Sequence, residues 1–102
     1  MPATYAALVG DSNGWDEDNY VETLESERRS YAWVMQKYGG KTPAEAEAEA
    51  VEFYRYEEPD TPHRGLVFHD ASWHWAMLGI HGDYWLTHPH LAQPCAEYYG
   101  IE

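Results

Sequence analysis

The chain has 102 residues with 18 acidic and 6 basic side chains, a formal charge of -12, and 44% apolar residues including sixteen Trp, Tyr or Phe. That length predicts one domain with one core, and the aromatic content excludes intrinsic disorder despite the charge. The acidity argues against direct binding to nucleic acid or to an anionic membrane, and Cys95, the single cysteine, excludes an internal disulfide and a Cys-cluster zinc site.

Residues 3–9, Ala-Thr-Tyr-Ala-Ala-Leu-Val, fit a short strand or a first helical turn, and Asp11-Ser12-Asn13-Gly14 is a turn signal. No basic n-region precedes a long apolar run, and no window approaches the roughly 18 apolar residues of a membrane span, so the expectation is a soluble, cytoplasmic protein. Trp15 is expected to anchor the turn to the core.

Asp16-Glu17-Asp18 places negative charge where a helix N-terminus favours it, and Val21, Leu24, Arg28, Tyr31, Met35 and Tyr38 recur at helical spacing. The pattern predicts a helix over about 18 to 38, with Lys37 in its last turn and Gly39-Gly40 stopping it. Thr42-Pro43-Ala44-Glu45 is a capping-box start, with Pro43 at the first helical position. Although Ala46 to Ala50 alternates with period 2, Ala and Glu favour helix over strand, so a second helix is predicted over about 43 to 57, before Pro59 and Pro62. The short connection makes the two helices an antiparallel hairpin.

Residues 66–86 hold three of the five tryptophans and three of the six histidines. The chain is expected to organise itself around this stretch. Leu66-Val67-Phe68 reads as an extended lead into a Trp-rich helix over about 71 to 81, with Asp70 as N-cap and Gly82 after its end. The core is expected to include Trp33, Trp73, Met77 and Ile80. Prolines after Thr87 leave only short helical pieces, one starting with Pro94 at its first position and reaching Tyr99. The fold class is therefore mainly α, a compact single domain over 1–102 in which a helical hairpin packs on a Trp-rich helix.

Asp70, His74 and His81 would share one helix face, with His69, His88 and His90 nearby, which makes a small metal-binding protein or metal-dependent hydrolase one alternative reading. No His-Glu-x-x-His frame accompanies them, and Ser72 and Cys95 sit in no nucleophile motif, so neither an enzyme nor a cofactor is expected. A second alternative is an oligomeric structural or accessory protein with exposed aromatic residues at a self-interface.

The acidic residues carry the leading reading. Fourteen of the 18 lie between residues 11 and 60, where five basic residues leave a balance of -9. Glu45, Glu49 and Glu52 form a stripe on the second helix with about 5 to 6 Å between successive charges, comparable to phosphates along a nucleic-acid strand. With Glu22 and Glu25 on the first helix, they are the expected contacts to a basic, nucleic-acid-binding partner. In composition, though in no specific residues, the chain is similar to phage-encoded inhibitors of nucleic-acid-binding defence machinery, anti-CRISPR and anti-restriction proteins among them. That likeness assigns no residue a role; the acidic face itself predicts a nucleic-acid mimic that blocks its partner's basic surface.

Overall fold

The computed structural model describes residues 15–101, so the expectations for residues 3–9 and for the turn at 11–14 lie outside the described residues. Helix α1 runs from Glu17 to Tyr38. The Asp16 side chain accepts the Asn19 N–H at its start, Lys37 sits in its last turn, and the Gly39 N–H closes it on the Met35 carbonyl. Gly40 follows with φ +69°, a conformation that costs glycine no steric clash and most other residues a real one.

Helix α2, Pro43–Phe53, begins with the expected capping box: the Thr42 hydroxyl accepts the Glu45 N–H, and the Glu45 carboxylate accepts the Thr42 N–H. It stops short of the predicted residue 57 because Tyr54 leaves helical geometry. The Tyr54 ring is buried, and its carbonyl accepts both Nε (2.9 Å) and Nη2 (2.7 Å) of Arg28 on α1, which ties the chain down where propensity alone would continue the helix. Ala46 and Ala50 lie fully against α1, so α2 meets its neighbour along a seam of small side chains.

Leu66–His69 is a 3-10 turn, not the extended segment expected. Helix α3 spans Ser72–His81, close to the predicted range, and ends at Gly82 with φ +63°. Its N-cap position is held by Ala71, with Asp70 exposed and making no cap. Short helices α4, Tyr84–Thr87, and α5, Ala96–Tyr99, follow, separated by a 3-10 turn at Pro89–Leu91. Pro94 does not open α5: Cys95 holds the N-cap and Pro94 lies before it.

Among the described residues the fold is all helical, and none of its helices is long and apolar enough to cross a membrane. The hairpin of α1 and α2 is present and α3 packs on it, yet the centre of the fold is α1 and not the Trp-rich stretch. Helix α1 packs against both α2 and α3. Its residues Tyr20, Leu24, Tyr31, Val34 and Met35 form the core with Tyr54, Trp73, Ala76 and Met77. A 22-residue helix presents enough apolar surface to cover two shorter partners, whereas the ten-residue α3 does not. Trp73 and Met77 are buried as expected. Trp33 and Ile80 are only partly buried, and the Lys37 ammonium sits 5.4 Å from the Trp33 ring.

Candidate functional site

Three features concentrate chemistry on this fold: acidic helix faces, a row of aromatic rings near the surface, and two polar clusters built on Arg64 and Glu27. The five acids singled out from the sequence fall into two sets. Glu22 and Glu25 are exposed on the N-terminal half of α1 and form no ion pair among the described residues. Glu45, Glu49 and Glu52 follow one flank of α2, at steps of four and three residues that keep them on one side of the helix. The opposite flank of α2, with Glu47 and Val51, turns toward a groove of about 460 Å³ shared with Arg28, Ala32, Trp33 and Gln36 of α1.

The stripe on α2 is partly committed within the molecule. The Thr42 N–H holds the Glu45 carboxyl below its ordinary range, since the charged form closes the capping box. Glu49 pairs with Lys41 at 3.0 Å and Glu52 with Arg55. Both pairs are solvent-exposed, and such pairs are worth roughly 0 to 1 kcal/mol, so an incoming cation displaces the internal one at little cost.

Beside that stripe runs a row of rings. Phe53 at the end of α2 lies 5.6 Å from Trp75 on α3, Trp75 lies 5.1 Å from His74, and His74 lies 6.3 Å from Trp85 on α4. Phe53 is 37% and Trp85 46% exposed, and Leu86, which follows Trp85 in the chain, is more exposed still. Local bonds fix the row: the Trp75 indole N–H donates to the Val67 carbonyl (3.0 Å), and His74 Nδ1 shares a hydrogen bond with the Tyr84 hydroxyl (2.9 Å). Composition disclosed the aromatics, but only the packing of α2, α3 and α4 makes them neighbours.

His74 and His81, expected on one helix face, belong to different clusters. His74 is held among Trp75, Tyr84 and Trp85, while His81 stacks on His88 at 4.0 Å and His88 lies 6.0 Å from His90. Among the described residues no group of three or more His, Cys, Asp or Glu side chains is placed to hold a metal ion. Burial, and then the neighbouring His88 and His90, push the His81 ring below its ordinary pKa.

Two polar clusters escaped sequence reasoning. Arg64, in a Pro-rich loop that reads as solvated, is 5% exposed. Its guanidinium lies 3.7 Å from the Tyr20 ring centre, donates from Nε to the Glu57 carbonyl (2.8 Å) and from Nη2 to Glu17 (2.8 Å) and the Tyr56 hydroxyl (3.2 Å). The Trp15 indole N–H donates to the Arg64 carbonyl at 3.0 Å, while the turn it is expected to anchor lies outside the described residues. Gly65 has φ +83°, and a Cβ there would come within 2.4 Å of the Trp15 ring, so the loop passes under the indole only as glycine. The Tyr56 hydroxyl and then Arg64 hold the Glu17 carboxyl below its usual range.

The second cluster is Glu27 of α1. Its carboxylate accepts the Tyr54 hydroxyl at 3.4 Å and faces the Ser72 backbone N–H at the start of α3, which favours its charged form. The Tyr98 hydroxyl accepts the Trp73 N–H (3.3 Å) and bonds Ser72 Oγ (2.8 Å). Residues distant in sequence thus satisfy the N–H groups that a local N-cap usually takes. Burial raises the Glu27 carboxyl above its ordinary range, against the opposing effect of these hydrogen bonds. A raised carboxyl is a property of many catalytic acids, but Glu27 lines neither the groove between α1 and α2 nor the cleft of about 860 Å³ beside Trp15, Thr23 and His63. It faces the start of α3 instead.

Comparison with protein-family models, with curated proteins and with solved structures returns no match.

Proposed function

We propose that this protein is an acidic binding module that occupies a basic, nucleic-acid-contacting surface of a partner protein and thereby keeps nucleic acid out of it. Phage-type inhibitors of nucleic-acid-binding defence machinery are the functional class this resembles. The observation that carries the reading is the stripe of Glu45, Glu49 and Glu52 on a helix whose start is fixed by a complete capping box. By helical rise the three carboxylates are about 6 and 4.5 Å apart along the axis, close to the spacing a phosphate-binding groove accepts. The excess of 18 acids over 6 bases adds long-range attraction to any cationic surface.

The test is capture of partners from cell extract at about 50 mM salt, a concentration at which the Debye length still exceeds 10 Å, followed by competition with nucleic acid. The partner is expected to be a nucleic-acid-binding protein that DNA or RNA displaces from the module. Glu22→Gln, Glu25→Gln, Glu49→Gln and Glu52→Gln combined should weaken the complex about tenfold, a loss of about 1.4 kcal/mol, without lowering Tm. Glu45 is left in place because its carboxylate caps α2. A partner that binds module and nucleic acid together, or that holds the neutralised variant equally well, overturns the proposal.

A further inference from the structure

We infer that the row Phe53, Trp75, His74 and Trp85 is an arginine-binding surface, on which an arginine-bearing segment of a basic protein lays its guanidinium groups. The inference rests on the acidic-module reading and specifies what that module grips.

Two observations meet at this row. The first is that folding leaves both of its ends exposed: Phe53 and Trp85 expose 37% and 46% of their surface, His74 and Trp75 are half-buried between them, and Leu86, next to Trp85 in sequence, exposes 70%. Contiguous exposed apolar surface on a small domain marks an interaction site more often than chance. The second is charge at both ends. At the Phe53 end, Glu49 lies close enough to Tyr31 to raise its phenol, after burial does so, and Tyr31 stacks on Phe53 at 5.1 Å. At the other end Asp70 acts in the same way, second to burial, on Tyr84, whose ring is 5.4 Å from Trp85. Glu52 and Asp83 adjoin the two ends in sequence and are exposed.

The same molecule already joins cations to rings elsewhere, Arg64 over Tyr20 at 3.7 Å and Lys37 over Trp33 at 5.4 Å. Among the described residues no such contact involves Phe53, His74, Trp75 or Trp85. A second copy of the chain would bring another charge of -12 against acids of the same sign, and a nucleic acid would bring its phosphates, so both are disfavoured against a cationic segment. Arginine fits better than lysine because its planar, weakly hydrated guanidinium stacks on ring faces while its edge donates to carboxylates. The ring-to-ring steps of 5.6, 5.1 and 6.3 Å limit the row to about five residues of extended chain at about 3.3 Å each.

The probes are blocked peptides of six arginines, six lysines and six serines, titrated into the full chain at about 50 mM salt and followed by calorimetry and tryptophan fluorescence. Hexa-arginine should bind about fivefold tighter than hexa-lysine, and Phe53→Leu with Trp85→Leu should remove that difference. Leucine keeps apolar bulk at both positions, and an unchanged melting curve verifies the fold. Glu49→Gln with Glu52→Gln should weaken both cationic peptides alike. Equal binding of the two cationic peptides, or retention of the arginine preference by the leucine variant, overturns the inference while leaving the acidic module intact. Failure of both cationic peptides to bind better than hexa-serine overturns the two readings together. A concentration-dependent dimer in sedimentation that Trp85→Leu abolishes also overturns it, because the row then belongs to a second copy.

Discussion

Glu27 does two things at once, and two substitutions separate them. As an acceptor it bonds the Tyr54 hydroxyl and faces the Ser72 N–H; as a buried charge it opposes folding, because burial is the largest influence on its carboxyl and raises it above the ordinary range of a glutamate. Glu27→Ala removes the acceptor and leaves the start of α3, where Ala71 offers no side-chain cap, with an unpaired N–H. A lost cap costs about 1 kcal/mol and a buried donor left unpaired about 1 to 3 kcal/mol, while relief of the charge returns part of it, so a net loss of about 1 to 3 kcal/mol is expected. For a domain of this size that lowers Tm by about 5 to 20 °C. Glu27→Gln retains a carbonyl oxygen for the same donors and carries no charge, so at pH 7 its Tm should equal or exceed that of the parent.

The pH dependence has a definite sign. A carboxyl raised in the folded state binds more protons there than in the unfolded chain, so its contribution to stability is full below about pH 4.5 and is lost as pH rises through the folded value. The advantage of Glu27→Gln over the parent should therefore be present at pH 7 and vanish toward pH 4. Thermal unfolding followed by near-ultraviolet circular dichroism, with the parent, Gln and Ala chains at matched pH, reads all three. If Gln and Ala lose the same stability at pH 7, α3 needs the negative charge itself and the assignment of Glu27 as a neutralisable cap is refuted.

Two other clusters give predictions of the same kind. Arg64→Lys keeps the charge but not the planar fork that bonds the Glu57 carbonyl and Glu17 while lying on Tyr20, so a loss of about 2 kcal/mol is expected, with hydrogen exchange rising first across residues 55–65; an unchanged Tm and exchange pattern would refute it. His81 is depressed below 6.5 by burial and by His88 and His90, so the folded chain takes up its proton less readily and stability present above about pH 6.5 is lost as pH falls through the folded value; His81→Gln should flatten that segment of the stability profile, and an NMR titration should place the His81 ring below a free histidine.

The hairpin was legible because its signals are local. Thr42, Pro43 and Glu45 satisfy one another's geometry within four residues, and Gly39-Gly40 ends α1 through backbone conformation alone. The errors share the opposite property. Asp70 has the right side chain for an N-cap, but α3 begins two residues later and takes its partners from Glu27 and Tyr98, which no reading of neighbouring residues discloses. Helix propensity carries α2 through Glu57, whereas Arg28, on the other arm of the hairpin, takes the Tyr54 carbonyl and ends it at Phe53. Arg64 lies in a loop of prolines and polar residues, and only Gly65 beside it hinted that another group, the Trp15 ring, passes close to the chain there.

The same distinction bears on where binding is centred. Composition treats the acidic residues as one field, and at a distance a partner meets them so, because steering depends on summed charge. At contact the Debye length of about 8 Å under physiological salt makes position decisive. Glu22 and Glu25 stand exposed on the N-terminal half of α1 and form no ion pair among the described residues. Glu49 and Glu52 stand beside Phe53, where exposed ion pairs are readily exchanged and a row of rings continues across α3 to Trp85. An acidic stripe alone attracts any cation. Joined to a row of ring faces it favours the cation that is also flat, and that conjunction arises only because α2 ends at Phe53 and sets its ring against Trp75.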